Sequence, residues 1–125
     1  MQKAIMSGDY EAYKQFEHPE IKVPTGDSNL NHFYIYTEKD VVLDTEITWE
    51  FFKLSNMETY FSPDMNTAVI TFVADGKYTF IDNGEIVSYA TRGSSVWNYT
   101  DDGWKVLHTS YAPRKGRVGI PERTN

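Results

Sequence analysis

The chain has 125 residues, no cysteine, and 18 acidic against 12 basic side chains, for a formal charge of −6. That length fits one domain of about 150 residues, and 40% apolar with 24% charged residues is the composition of a packed globular protein, not a disordered one. The acid excess speaks against nucleic-acid and membrane partners, whose phosphates call for clustered Lys and Arg.

The absence of cysteine removes disulfides, thiolate metal sites and a Cys nucleophile. It fits a reducing compartment, so a cytoplasmic location is expected. No apolar run approaches the roughly 18 residues of a membrane span. The first residues, Met1 to Asp9, carry no signal-peptide core.

Ser7-Gly8-Asp9 is a break that can cap a helix, because a Ser or Asp oxygen accepts the free N–H groups of a first turn. Tyr10, Tyr13 and Phe16 then follow helical spacing. His18-Pro19 is the expected end, since the residue before proline is pushed out of the helical region. A second helix is expected over about residues 29–37, capped by Asp27 or Ser28, with a stripe of Leu30, Phe33, Tyr34 and Val41. A strand is the competing reading there, because Phe33 and Ile35 alternate with His32, Tyr34 and Tyr36.

From residue 45 the period becomes two. Ile47 to Leu54 and Met57 to Phe61 read as strand, and Ser62-Pro63-Asp64-Met65-Asn66 as a turn. Thr67 to Ala74 is β-branched and uncharged, as in a central strand. Asp75-Gly76 and Asp82-Asn83-Gly84 read as hairpin turns bracketing Lys77 to Ile81. Glu85 to Tyr99 is a long strand with a bend or bulge expected at Gly93. Asp101-Asp102-Gly103 is another turn, and Trp104 to Tyr111 the last strand.

Helices followed by hairpin-linked strands predict an α+β fold on an antiparallel sheet. Residues 1–113 read as one domain. Residues 114–125 read as a basic tail, with Arg114, Lys115, Arg117 and Arg123 against Glu122. Such an arm is solvated, or docks on an acidic face of its own or a sister subunit.

Two stretches carry a family resemblance. Ala4-Ile5-Met6-Ser7-Gly8-Asp9-Tyr10-Glu11-Ala12-Tyr13 resembles a helix junction, and Ser94-Ser95-Val96-Trp97 with Asp102-Gly103-Trp104-Lys105-Val106-Leu107-His108-Thr109-Ser110 resembles a closing hairpin, of the nuclear transport factor 2-like superfamily. The likeness is to its SnoaL-like branch, near the calcium/calmodulin-dependent kinase association domains and small bacterial single-domain relatives. The resemblance implies a cystatin-like, cone-shaped curved antiparallel sheet of about five or six strands wrapped on about two or three N-terminal helices. It also implies a pocket in the cone and a homodimer, with a higher oligomer as an option. Ser95 stands where the kinase association domains carry an Arg.

The three histidines, His18, His32 and His108, lack the spacing of a sequence-local metal site, so no metal and no cofactor are expected. His108 is the one catalytic candidate. Alternation puts it with Trp104, Val106 and Ser110, and a pocket-facing His serves as acid, base or donor. Its alternative is a structural His.

Tyr34, Tyr89 and Trp97 are candidate walls for a flat or apolar ligand, or else core packing. Arg92 either pairs across the sheet or anchors an anion. Asp44, Glu46 and Glu50 are the carboxylates nearest the expected rim, where a general base would need burial and a raised pKa. The expected function is the binding of a small organic molecule in the cone. The alternatives are an isomerase, cyclase or dehydratase using a pocket carboxylate or His108, and a homo-oligomerisation module of the association-domain kind.

Overall fold

The computed structural model describes residues 14–20, 22–26, 33–35 and 47–114. Six strands make one sheet: β1 (Pro24–Gly26), β2 (Tyr34–Ile35), β3 (Ile47–Phe61), β4 (Thr67–Phe80), β5 (Ile86–Thr100) and β6 (Gly103–Pro113). Their order is β2-β1-β6-β5-β4-β3. All neighbours are antiparallel except β1 beside β6, which is parallel.

The turns between long strands follow the expected chemistry. Gly84 and Gly103 both take positive φ, of 72° and 101°, which side chains disfavour. In the β3–β4 turn, Asp64 accepts from the Ser62 hydroxyl at 2.6 Å and the Asn66 amide at 3.0 Å. The Ser62 and Asn66 donors hold the Asp64 carboxyl below its ordinary pKa, because they bond its charged form.

Three local expectations are corrected. Asp75-Gly76 is not a turn: β4 runs straight through it, with Asp75 opposite Lys53 and Ala90, and Gly76 opposite Phe52 and Tyr89. Gly93 carries no bulge, since the register is continuous there on both sides. It leaves room for the Phe72 ring, which packs over it beside Tyr111. Residues 34–35 of the expected second helix are strand, because their backbone pairs with Pro24 and Thr25; the rest of that helix, apart from Phe33, lies outside the described residues.

Of the first helix, residues before 14 also lie outside the described set. The helical turn ends before Glu17, earlier than His18-Pro19. Val106 takes over the backbone there, its N–H donating to Phe16 O at 2.6 Å and its carbonyl accepting from His18 N at 3.2 Å. A wrapping of helices on the sheet is therefore an expectation that falls outside the described residues.

The sheet is curved. β3 and β6 would be about 14 Å apart in a flat sheet at ~4.8 Å per strand step. Yet the Phe61 and Trp104 rings, on those two strands, stand 5.9 Å apart, and Tyr99 packs on Trp104 at 5.3 Å. The face carrying these rings is the concave one. The core lies on it: Ile47, Ala74, Tyr78 and Tyr89 are buried, with Trp49, Phe52 and Leu54 against them.

At the end of β6, Arg114 turns back onto the outer face. It pairs with Asp75 and donates to the Thr91 carbonyl at 3.4 Å, so the first residue of the basic tail docks on its own sheet. Among the described residues no helix is long and apolar enough to cross a membrane.

Candidate functional site

Cross-strand partners point to the same side of a sheet, so the register sorts every strand residue between the two faces. On the concave face, Ser95 of β5 lies opposite Thr109 of β6, and Thr109 opposite Thr25 of β1. Thr91 stands four residues along on the same side of β5, beyond Gly93. These four are the buried polar residues of the described chain. Thr25, Thr109 and Ser95 form a row of hydroxyls across three strands of the concavity, and Thr91 stands apart from it.

Buried hydroxyls are costly without partners, and each of these has one. Thr109 Oγ1 donates to Thr25 Oγ1 at 3.3 Å, and Thr25 Oγ1 to the Val23 carbonyl at 3.4 Å. Thr91 Oγ1 donates to the Tyr89 hydroxyl at 3.0 Å. The Trp97 indole N–H donates to Ser95 Oγ at 2.8 Å, which leaves the Ser95 hydrogen to donate onward. Trp97 flanks the row at Ser95, and Tyr89 stands beside Thr91. Along β3–β6, the register puts no Asp, Glu, Lys, Arg or His of the described residues on this face.

Of the residues singled out in the sequence, Tyr89 and Trp97 belong to this concave floor. Arg92 and His108 do not. Between the pairs Val96–His108 and Trp97–Val106 the register slips by one, with Leu107 as the extra residue. Simple alternation fails there: Trp104 and Val106 face the concavity, while His108 and Ser110 face outward. His108 Nδ1 donates to the Pro24 carbonyl at 2.6 Å, and its ring packs edge-on against Phe33 at 5.4 Å. The Pro24 bond ties β1 to β6.

Arg92 is exposed on the outer face, opposite Val73 and Ala112. The Tyr34 backbone pairs with Thr25. Asp44 and Glu46 lie outside the described residues, and Glu50 meets Lys77 at 3.9 Å in a solvated ion pair. Among the described residues no cluster of three His, Cys, Asp or Glu side chains could hold a metal ion.

Alternation along β5 already puts Thr91 and Ser95 on one face with Tyr89 and Trp97. That Ser95 meets Thr109 and Thr25 escaped the sequence reading, because it requires the register, slip included.

No protein-family model matches the chain, and no curated protein matches it. Solved structures do. An NTF2-like superfamily protein from Salmonella enterica serovar Typhimurium superposes with a TM-score of 0.66 at 20% identity, over 96% of this chain and 88% of the other. A dehydratase candidate of the NTF2-like family from Streptomyces avermitilis gives 0.71 at 15% identity, over 91% and 88%. The CaMKII hub of S. rosetta gives 0.69 at 17% identity, over 90% and 88%.

The chain has the NTF2-like fold. This agrees with the resemblance carried by the hairpin residues 94–110. The fold by itself assigns no activity, and these neighbours already span a hub and a dehydratase candidate. Within the NTF2-like frame, the hydroxyl row sits on the hollow side of the sheet and the His108 contact on the other.

Proposed function

We propose that this chain binds a small organic molecule against the concave floor, through hydrogen bonds to hydroxyls and contact with aromatic rings. The observation carrying this reading is the buried row of Thr25, Thr109 and Ser95 beside Trp97, with Thr91 and Tyr89 further along β5 on the same face. Neutral hydroxyls orient a carbonyl or hydroxyl group, and flanking rings accept a flat skeleton. Along β3–β6 the floor supplies hydroxyl donors and acceptors, with Glu17 bridged to Val106 at its edge, and this reading takes the hydroxyls as the binding groups.

The test is a thermal-shift screen with cyclic ketones, phenols and aromatic acids. A ligand specific for the folded chain adds about 2.7 kcal/mol at about 100 times its Kd, a rise of several degrees in Tm. Ser95→Ala is expected to weaken the best hit about tenfold, by loss of one hydrogen bond to a buried group. Equal protection of the wild type and Ser95→Ala would count against this floor as the site.

A second reading, self-association, is favoured by the outer face. Phe51, Tyr60 and Ile86 point outward by register and are 49%, 55% and 65% exposed. They share this face with Lys53 and Glu58, which stand between Phe51 and Tyr60 along β3. Several structural neighbours are association or hub domains, including those of C. elegans and S. rosetta. Sedimentation equilibrium is expected to give a multiple of the single-chain mass, and Phe51→Glu with Tyr60→Lys to reduce it to one chain. A wild-type monomer at high micromolar concentration would end this reading.

A further inference from the structure

The outer face holds a groove of about 340 Å³, centred on β4, β5 and β6. It is separate from the concave floor, being reached from the other side of the sheet. Thr71, Ser94 and Ser110 stand in direct register across the three strands and line it together. Such a row spans about 10 Å at ~4.8 Å per strand. Arg92, two positions from Ser94 on the same side of β5, is the one ionisable residue of the lining.

Among the described residues the Arg92 guanidinium makes no ion pair or hydrogen bond, although the chain has a formal charge of −6. Two described acids lie near it on the same face, Asp75 and Glu58. Asp75, on the neighbouring strand, pairs with Arg114. Glu58, opposite Thr71, accepts the Tyr60 hydroxyl, and that bond raises the Tyr60 pKa. An exposed guanidinium offers a planar fork of five donors matched to two oxygens of one oxyanion. The three hydroxyls beside it supply further donors on a rigid sheet, where little ordering is lost on binding.

We infer that this outer groove is an oxyanion site, in which Arg92 grips a carboxylate or phosphate group of a small ligand and Thr71, Ser94 and Ser110 bond its remaining oxygens. The Asp75–Arg114 pair serves the site indirectly. By occupying Asp75, the start of the basic tail keeps that carboxylate from quenching Arg92.

The experiment is an amide NMR titration of the full chain with inorganic phosphate, acetate and succinate in separate arms, against chloride at matched ionic strength. Saturable shifts are expected at Thr71, Arg92, Ser94 and Ser110, and none of that kind with chloride. The arm with the lowest Kd tells phosphate from carboxylate. Arg92→Gln is expected to weaken binding about tenfold or more, and Ser94→Ala with Ser110→Ala to weaken it less, with unchanged spectra elsewhere. Non-saturating shifts, shifts on the concave floor, or equal affinity in Arg92→Gln would overturn the inference. The ketone and phenol titration of the concave floor is read at different amides, so either site can fail alone.

Discussion

Tyr78→Ala is expected to destabilise the chain by about 3–5 kcal/mol, the cost of emptying a fully buried aromatic site. Tyr78 is 0% exposed and is the bulkiest of the fully buried side chains. Its ring meets Trp49 edge-on at 5.2 Å and Phe80 at 5.6 Å, while Trp49 in turn touches Phe52 at 5.0 Å and Tyr89 at 5.4 Å. Edge-to-face pairs of this kind contribute beyond area burial, so removing this ring loses its contacts with Trp49 and Phe80 together. The walls are side chains on three paired strands and cannot close the hole without breaking the ladder. Total stability of domains this size is about 5–15 kcal/mol, so the variant stands near the edge of folding. Urea unfolding followed by circular dichroism checks this through a lowered midpoint. A loss below about 1 kcal/mol would mean that these rings are not the centre of the core.

Gly76→Ala is the second large effect, expected at the upper end of the roughly 1–3 kcal/mol typical of overpacking. A Cβ at Gly76 would lie 2.7 Å from the Trp49 ring and 2.9 Å from the Phe51 carbonyl oxygen. The ring could rotate, but the carbonyl is backbone, fixed by the pairing of Phe51 with Lys77 just past the β3 irregularity. Either β3 withdraws from β4 or Trp49 leaves the Tyr78 cluster. Gly93→Ala is the informative comparison: there the intruding atom meets the far end of the Phe72 ring and Tyr111, both side chains that can move. The expected order of stability is wild type, then Gly93→Ala, then Gly76→Ala. Equal losses at the two glycines would show that β3 yields as easily as a ring does.

Gly76 also shows where sequence reasoning stops. Asp-Gly is a strong hairpin signal because glycine accepts turn dihedrals. At 75–76 the same residue is kept for lack of volume, in the middle of a strand, and nothing local separates those two uses. Asp82-Asn83-Gly84 and Asp101-Asp102-Gly103 looked similar and are turns, with Gly84 and Gly103 at positive φ. The face expected for His108 differs for a like reason. Period-two alternation holds only while the register does, and the slip at Leu107 exchanged the faces beyond it.

Strand content, the turns at 62–66, 82–84 and 101–103, and the likeness of residues 94–110 to a known closing hairpin were readable from the chain alone, because each rests on neighbours in sequence. The meeting of Thr25, Ser95 and Thr109 and the outward face of His108 were decided only by tertiary structure. These depend on which strand lies beside which and in what register. That choice is made by long-range packing such as Phe61 against Trp104 and Tyr78 among its rings, between residues far apart in sequence.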